Sequence, residues 1–338
     1  MAGTIDTWLI WKLTGGASHV TDATNASRTL LFDIHAQTWS APMLELFQVP
    51  RAILPEVRDC AGLFGHTAPE LLGRSIPICG VAGDQQAALM GQGCIAPGQM
   101  KATYGTGCFL LVNTGAAAPR SRARLLTTVA ARMDGQTTYA LEGAIFIAGA
   151  AIGWLVEGLG VEGPAQAEAL ARKARPGNGV VLVPAFTGLG APWWDAEARG
   201  ALMGLTRDAG LPEIALAAYD ACAYQTADLI EAMMSDAPEA FGADSELRID
   251  GGMSRSPWFA QRLADLTGQR VARASYEETT ALGAALFAGV GAGLYADLAA
   301  AAAARPKTEA AEPSLPTAER HVGLGRWRDA VRRVLSHS

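Results

Sequence analysis

The order of strand-like and helix-like segments predicts an α/β fold. Four strand-like stretches follow one another between residues 100 and 141, and helices alternate with two further strands between residues 149 and 288. Hairpins that come first and crossover helices that come later are typical of an α/β domain. The chain has 338 residues, of which 50% are hydrophobic, so it can form two modest domains or one large one.

The individual elements follow from local patterns and turn signals. Residues 4–13 are apolar with a broken period and end at Gly15-Gly16, and residues 51–73 are rich in loops. Asp134 and Gly135 both tolerate a positive φ, so they predict a hairpin turn between two of the strands. The strand-like stretches are residues 100–103, 109–112, 126–132, 137–141, 180–184 and 247–250. The helix-like stretches are residues 149–159, 212–234, 257–267 and 280–288.

Two further segments are distinguished by composition. Residues 184–195 contain two glycines, two prolines and paired tryptophans, which predict a stiff, exposed loop. A packed surface loop is the alternative. Residues 299–316 are rich in alanine, proline and charge, and we expect them to lie loosely on the surface. Residues 326–335 then have the spacing of a short amphipathic helix.

Charge and composition exclude several classes of protein. The formal net charge of −6 argues against a nucleic-acid-binding surface, which needs clustered Lys and Arg. The longest apolar runs are too short to cross a bilayer, and the N-terminus lacks the pattern of a signal peptide. Five scattered cysteines without a C-x-x-C pair predict neither a disulfide framework nor a zinc site, and they suit a reducing cytoplasm.

Asp84 is the first candidate for chemistry. An apolar stretch over residues 76–81 runs into Gly83, and Asp84 follows at the turn into a helix. Sites in open α/β sheets form beyond the carboxyl ends of strands, where a carboxylate can accept a proton from a substrate hydroxyl. The alternative is that Asp84 only caps the helix, and this segment alone favours the cap.

Two glycine-rich turns are candidates for nucleotide binding. Gly105, Thr106 and Gly107 stand between two strands, where free backbone N–H groups and the Thr hydroxyl could donate to a phosphate. Residues 247–257 form a strand, two glycines and a helix start, with Ser256 at the N-cap position. Ordinary turns remain the alternative for both segments.

Taken together, these segments resemble the FGGY carbohydrate kinases, in particular the members that phosphorylate glycerol. The resemblance lies in an ordered set of segments, and no single one of them is specific. The matching segments are residues 3–14, 21–29, 83–89, 104–109, 188–195, 199–206 and 280–285.

The resemblance implies a fold and a division into domains. The fold is that of the actin/hexokinase/Hsp70-like (ribonuclease H-like) superfamily, with two α/β domains hinged over a cleft and most of the first domain missing. Residues 1–92 would be the end of the N-terminal substrate domain, and residues 93–290 the C-terminal nucleotide-binding domain. Residues 291–338 would form an Ala/Pro-rich tail and a C-terminal helix.

The resemblance also implies ATP-dependent phosphorylation of glycerol to glycerol 3-phosphate. Asp84 would take the proton from the attacking hydroxyl, bind glycerol, and contact Mg²⁺ through water. Gln85 would hydrogen-bond a glycerol hydroxyl, and Phe109 would pack on its carbon chain. Phosphoryl transfer needs mainly positioning and charge neutralisation, which this arrangement would supply.

The remaining site residues would bind ATP or ADP. Gly105 and Thr106 would hold the phosphates, and Gly149 and Gly252 would line the nucleotide pocket. Two further lining positions depart from the family, which often has Gln where Gly153 stands and Asn where Ser256 stands. These departures leave nucleotide affinity and choice open.

Three alternatives remain at this stage. Members of the family begin with an Asp-x-Gly-Thr phosphate hairpin and glycerol-clamping residues, which this sequence does not contain. We therefore expect either an enzyme completed by an upstream segment or by another chain, or an inactive remnant that binds nucleotide weakly. Another FGGY sugar kinase is the alternative for the substrate, although residues 83–86 and 104–109 favour glycerol. A homo-oligomer is possible in either case.

Overall fold

The computed structural model describes residues 1–242 and 245–336. Short 3₁₀ helices cover Arg51–Ile53, Pro238–Ala240 and Gly252–Arg255. The α-helices are α1 (Ile5–Leu13), α2 (Ala23–Ala26), α3 (Ala41–Leu46), α4 (Pro69–Leu72), α5 (Asp84–Gly91), α6 (Gly149–Leu159), α7 (Pro164–Ala171), α8 (Leu211–Asp236), α9 (Pro257–Thr267), α10 (Thr279–Gly291), α11 (Leu298–Ala303) and α12 (Thr317–Val334). The strands are β1 (Val20–Asp22), β2 (Phe32–Asp33), β3 (Thr38–Trp39), β4 (Glu56–Arg58), β5 (Ala61–His66), β6 (Pro77–Gly80), β7 (Gln99–Tyr104), β8 (Cys108–Gly115), β9 (Leu126–Met133), β10 (Gln136–Ile145), β11 (Val181–Val183), β12 (Ala201–Met203), β13 (Glu246–Asp250), β14 (Val271–Arg273) and β15 (Glu309–Ala311).

A seven-stranded mixed sheet forms the centre of the molecule. Its strand order is β15-β14-β13-β7-β8-β10-β9. Strands β7, β8, β10 and β9 pair antiparallel, whereas β7, β13 and β14 run parallel and are joined by crossover helices. The hairpins therefore come first and the crossovers later, as the sequence predicts. The predicted α/β class is confirmed.

The turn signals in the sequence mark the ends of several elements. Asp134 and Gly135 have φ values of 49° and 72° and form the predicted hairpin turn between β9 and β10. The predicted helix over residues 257–267 coincides with α9, which the Ser256 hydroxyl caps by accepting the Phe259 N–H at 3.0 Å. Helix α6 also has its predicted bounds and ends at Gly160, whose φ of 71° is the left-handed conformation that glycine adopts easily.

The prediction that residues 299–316 lie loosely on the surface is wrong. Helix α11 buries Ala301 completely, and β15 pairs antiparallel with β14 at the edge of the central sheet. The last helix is also longer than its predicted bounds of 326–335, since α12 begins at Thr317 and buries Trp327. Small alanine side chains give little hydrophobic periodicity, so the sequence does not reveal that this segment is packed.

The two faces of the sheet differ in chemistry. Met100, Ala102 and Tyr104 on β7 point into the main hydrophobic core, together with residues of α6, α8 and α9. Alternate residues of a strand face opposite sides, so Lys101 and Thr103 lie on the other face. Helix α5 packs on that second face, and α10 packs on α5. The site residues at the start of α5 are thereby held over the end of β7.

Glycines allow α5 and α10 to touch backbone to backbone. A Cβ added at Gly283 on α10 would collide with the carbonyl of Ala87 on α5, and one added at Gly91 would collide with the carbonyl of Thr279. This close contact fixes α5 relative to the end of β13, because Thr279 donates a hydrogen bond to Asp250. In the described part of the chain, no helix is both long and apolar enough to cross a membrane. The predicted domain boundaries at residues 92 and 290 stay predictions.

Candidate active site

Asp84 is the first residue of α5 and is exposed to solvent. The N-cap position is occupied by Gly83, so the interpretation of Asp84 as the capping residue is wrong. The Gly83 N–H donates to the Thr24 hydroxyl at 2.7 Å, which ties the start of α5 to α2. An Asp84 carboxylate oxygen accepts the Gln85 N–H at 2.8 Å. Because the side chain remains exposed, it can reach a hydroxyl of a bound substrate.

Gln85 is held by a buried lysine that the sequence analysis did not identify. The Lys101 ammonium donates to Gln85 Oε1 at 2.5 Å and to Thr103 Oγ1 at 2.9 Å. The Lys101 side chain is fully buried, and this burial lowers its pKa, an effect that the nearby Asp250 carboxylate opposes. A charged residue within an otherwise apolar strand is the only signal that the sequence offers for it.

Phe109 lies on the same side of the sheet as Lys101. It stands opposite Thr103 in the β7–β8 ladder and is 44% exposed. Directly paired residues of neighbouring strands share a face, as do residues two apart on one strand. The structure therefore brings Phe109 and the start of α5 to the same end of β7, with Lys101 between α5 and the sheet.

The Gly105–Thr106 turn continues directly from β7 and contacts the N-terminus of α6. The N–H groups of Ala148 and Ala150 donate to the Thr106 carbonyl at 2.9 and 3.0 Å, and the Gly149 N–H donates to the Gly105 carbonyl at 3.0 Å. A Cβ at Gly149 would lie 2.5 Å from the Gly105 oxygen. Glycine is therefore required at position 149 for the turn and the helix end to meet.

A second turn approaches β7 from the neighbouring strand. Gly251 follows β13 with a φ of 87°, and a Cβ there would collide with the Tyr104 carbonyl. Gly252 begins the 3₁₀ helix that leads to Ser256. The predicted strand, glycine turn and helix start are thus all present at the carboxyl end of a parallel strand.

The six residues predicted to bind nucleotide line one cavity of about 1110 Å³. This volume is slightly larger than that of ordinary ligand pockets, which reach about 1,000 Å³. The six residues are Gly105, Thr106, Gly149, Gly153, Gly252 and Ser256. The remaining wall combines charged residues with aromatic and apolar side chains that no sequence motif marks. They include Trp154, Tyr219 and Met253.

The two positions that depart from the family pattern differ in their surroundings. A Cβ added at Gly153 meets no atom within 4 Å in the described residues, apart from its own helix backbone. The Ser256 hydroxyl already accepts the Phe259 N–H as the cap of α9. The wall at Gly153 is therefore open, whereas the polar atom at Ser256 has a structural partner.

The predicted substrate residues lie beside this cavity rather than in its wall. Asp84, Gln85 and Phe109 are gathered around Lys101 and Thr103, and β7 then continues through Tyr104 into the Gly105–Thr106 turn. Through Gln85 and Lys101, the exposed carboxylate is therefore linked to the strand that leads into the glycine turn. Such an arrangement can present a hydroxyl to a phosphate group held in the cavity.

Comparison with known proteins defines the class of protein. The model of the FGGY family of carbohydrate kinases, C-terminal domain, matches residues 100–292, and that of the N-terminal domain matches residues 1–91. The chain belongs to the FGGY family of carbohydrate kinases, so the predicted family and its actin/hexokinase-like fold are confirmed.

Within this family, the chain is similar to glycerol kinases. It is 55% identical to the glycerol kinase of Alcanivorax borkumensis over 337 residues, and 57% identical to that of Allorhizobium ampelinum over 335 residues. In both cases the match covers 99% of this chain and 67% of the relative. The chain thus spans about two thirds of the length of these relatives.

Solved structures agree with this assignment. The glycerol kinase of Plasmodium falciparum, solved with ADP, matches with a TM-score of 0.93 and 34% identity, over 99% of this chain and 67% of that one. The gluconate kinase of Lactobacillus acidophilus matches with a TM-score of 0.87 at 21% identity, over 98% of this chain and 68% of that one. At that identity the second match supports the fold alone.

Proposed function

We propose that this chain carries the phosphoryl-transfer site of an ATP-dependent kinase that converts glycerol to glycerol 3-phosphate. The observation that carries the proposal is that the exposed Asp84 precedes Gln85, which Lys101 ties to β7, the strand that leads directly into the Gly105–Thr106 turn. The identity of 55% to 57% with glycerol kinases supports glycerol as the substrate.

In this mechanism Asp84 acts as the general base. It accepts the proton of a glycerol hydroxyl, whose oxygen then attacks the γ-phosphorus of ATP while ADP leaves. Gln85 orients glycerol through its amide, and the exposed ring of Phe109 covers the carbon chain. The Thr106 N–H and hydroxyl stabilise the negative charge of the phosphates, whereas the Gly105 N–H donates to the Gly107 carbonyl at 2.9 Å and shapes the turn.

The cavity and the carboxylate also fit the expected ATP and magnesium. Glycines at positions 105 and 252 leave space for a phosphate chain to approach the backbone, and the apolar side chains of the wall suit a nucleobase. Mg²⁺ prefers oxygen ligands and usually retains several waters, which suits the exposed Asp84 carboxylate acting through water. The bound ion would neutralise charge on the phosphates.

We also propose a cytoplasmic location. Cys60, Cys79, Cys94, Cys108 and Cys222 are all free and buried. Unpaired thiols are typical of proteins in a reducing compartment. A homo-oligomeric state stays a prediction.

Substitution of the proposed base tests the function directly. With glycerol, ATP and Mg²⁺, we expect Asp84→Asn to lower kcat by about 100- to 10,000-fold, the usual contribution of a general base. ADP affinity should be unchanged, because Asp84 lies outside the wall of the cavity. The matched control is Asp134→Asn in the exposed β9–β10 turn, where Asn also tolerates positive φ.

The outcome distinguishes the alternatives. Turnover in the full chain that Asp84→Asn abolishes and Asp134→Asn retains supports the proposal. ADP binding by calorimetry without turnover of any polyol identifies a nucleotide-binding remnant. Faster turnover of a pentulose or of gluconate than of glycerol identifies another sugar kinase of the family.

A further inference from the structure

Lys101 is a buried cation whose position the proposed mechanism does not yet explain. Its side chain is fully buried on the face of the sheet that α5 covers. Removing an ammonium group from water is costly unless hydrogen bonds and opposite charges compensate for it. The buried ammonium of Lys101 must therefore be stabilised by the groups that surround it.

Those groups belong to the substrate side of the site. The ammonium donates to Gln85 on α5 and to Thr103 on its own strand. Asp250 and Glu142 supply the principal negative charge around it, and Asp84 contributes more weakly. Asp250 is itself held by the Thr279 hydroxyl of α10. Lys101 thus joins the start of α5 to the central sheet.

The chemistry of the ammonium group decides which way the Gln85 amide faces. A lysine ammonium has three donors and no acceptor, so only the amide oxygen of Gln85 can point toward it. The Nε2 group must then point away from Lys101, and it lies 3.4 Å from Asp84 Oδ2. Gln85 consequently presents a donor immediately beside the acceptor oxygens of Asp84.

We propose that Lys101 is a positioning residue that sets the hydrogen-bond polarity of the substrate site, an inference that rests on the proposed function. The Gln85 oxygen accepts the hydrogen bond from Lys101, so the Gln85 amide can only donate to the substrate. It donates to the oxygen of a substrate hydroxyl, and Asp84 accepts the proton of the same hydroxyl. This pairing of donor and acceptor fits a hydroxyl group, which both accepts and donates a hydrogen bond. Lys101 does not line the nucleotide cavity, so its effect is confined to the substrate.

Lys101→Met, which keeps the length of the side chain and removes its charge, is the direct test. We expect KM for glycerol to rise about 2- to 10-fold, the usual effect of losing one hydrogen bond between uncharged groups, while ADP affinity stays unchanged. In a Gln85→Ala background, Lys101→Met should cause no further rise. Equal effects of Lys101→Met in both backgrounds would overturn the proposal.

Arg248→Met is the matched control. Arg248 stands opposite Lys101 on β13, and its side chain is 12% exposed, but it contacts Glu246 and the Gln92 carbonyl instead of Gln85. This variant also removes a largely buried cation from the same face of the sheet. We expect it to leave KM for glycerol unchanged. If it raises KM as much as Lys101→Met does, the effect is a general loss of packing.

Gln85→Glu keeps a partner for Lys101 and tests the polarity with a smaller risk of unfolding than Lys101→Met. The carboxylate should pair with the ammonium, so the variant should fold, but it lacks the N–H donor. We expect weaker glycerol binding and an unchanged affinity for ADP. Glycerol binding equal to that of the original chain would refute the donor role of Gln85.

An NMR measurement separates this inference from the proposed function. In the ¹⁵N-labelled full chain, the side-chain amide signal of Gln85 is assigned by its loss in Gln85→Ala. We expect Lys101→Met to shift that signal, and glycerol to perturb it only when Lys101 is present. If the Gln85 signal does not shift in Lys101→Met, the inference is overturned even if the enzyme is active. If the signal shifts and responds to glycerol but the chain shows no turnover, only the kinase activity is rejected.

Discussion

At the scale of single residues, two glycines four positions apart on α6 meet opposite surroundings. A Cβ at Gly149 would press on the carbonyl of Gly105 at 2.5 Å, whereas one at Gly153 would meet open space within the described structure, its own helix aside. Gly149 is therefore required by the contact between the glycine turn and the helix. Gly153 is not required by packing and carries only the usual entropic disadvantage of glycine in a helix.

We therefore predict opposite effects of Gly149→Ala and Gly153→Ala on stability. Gly149→Ala should lower the free energy of unfolding by about 1 to 3 kcal/mol, as overpacking does, and should weaken ADP binding by displacing the Gly105–Thr106 turn. Gly153→Ala should raise the free energy of unfolding by about 0.5 to 1 kcal/mol. Urea unfolding and ADP calorimetry measure both effects. Equal changes in stability would show that the Gly149 contact is unimportant.

Whether a site residue could be predicted depends on whether a local sequence pattern marks it. Gly105, Thr106 and Gly252 lie in turns with a local signature, and the structure gathers them in one cavity. Lys101 has no such signature, because its partner Gln85 is 16 positions away and contacts it only after α5 packs on the sheet. Trp154 and other wall residues were missed for the same reason, since their role depends on tertiary packing.

At the scale of elements, the start of α8 contains a capping carboxylate that makes stability depend on pH. Glu213 accepts the N–H of Gly210, the N-cap residue, at 2.9 Å, and it also accepts hydrogen bonds from Arg175. The Gly210 hydrogen bond is the largest cause that lowers the pKa of Glu213 from 4.5 to about 2. A lowered folded-state pKa stabilises the fold above the unfolded-state pKa.

We predict that Glu213→Gln lowers the free energy of unfolding at pH 7, where the carboxylate is charged. The difference from the original chain should diminish as the pH falls from about 4.5 toward about 2, because Glu213 of the original chain is then increasingly protonated in the folded as well as the unfolded state. Denaturant unfolding at several pH values measures the difference. The exposed Glu239→Gln is the control, and a Glu213→Gln effect that persists unchanged at low pH would contradict the capping role.

The elements that the sequence predicted are those with strong local boundaries. Helices α6 and α9 match their predicted bounds because left-handed glycines end both, and a Ser-Pro pair begins α9. Strands β14 and β15 were not predicted, since each has only three residues and cannot show a clear alternation. Their existence depends on pairing with distant strands, which local propensity does not encode.

At the scale of the whole molecule, a buried carboxylate joins three segments that are distant in sequence. Asp228 on α8 accepts the Trp327 indole N–H of α12 at 2.7 Å and that of Trp193 in the 184–195 loop at 3.3 Å. It also forms an ion pair with Arg328. Burial is the largest effect on the pKa of Asp228 and raises it. The 184–195 loop is therefore a packed loop, and α12 closes over it.

This arrangement predicts that α12 is an integral part of the fold. Trp327 is fully buried, so Trp327→Ala should lower the free energy of unfolding by about 3 to 5 kcal/mol. Trp327→Phe retains most of the volume but removes the shortest of the hydrogen bonds that Asp228 accepts, so it should cost about 1 to 3 kcal/mol. Arg332→Ala, in an exposed ion pair with Asp329, should change stability by less than about 0.5 kcal/mol.

The order of these three effects, measured by denaturant unfolding, distinguishes a packed C-terminal helix from a loosely attached one. A packed helix unfolds together with the central sheet, so the loss at Trp327 should appear in the main transition. If α12 detaches on its own, Trp327→Ala and Arg332→Ala should leave that transition equally unaffected. Trp327 contacts α8, and other residues of α8 belong to the main core beneath the nucleotide cavity. In Trp327→Ala we therefore expect ADP binding to weaken only under conditions that destabilise the whole fold.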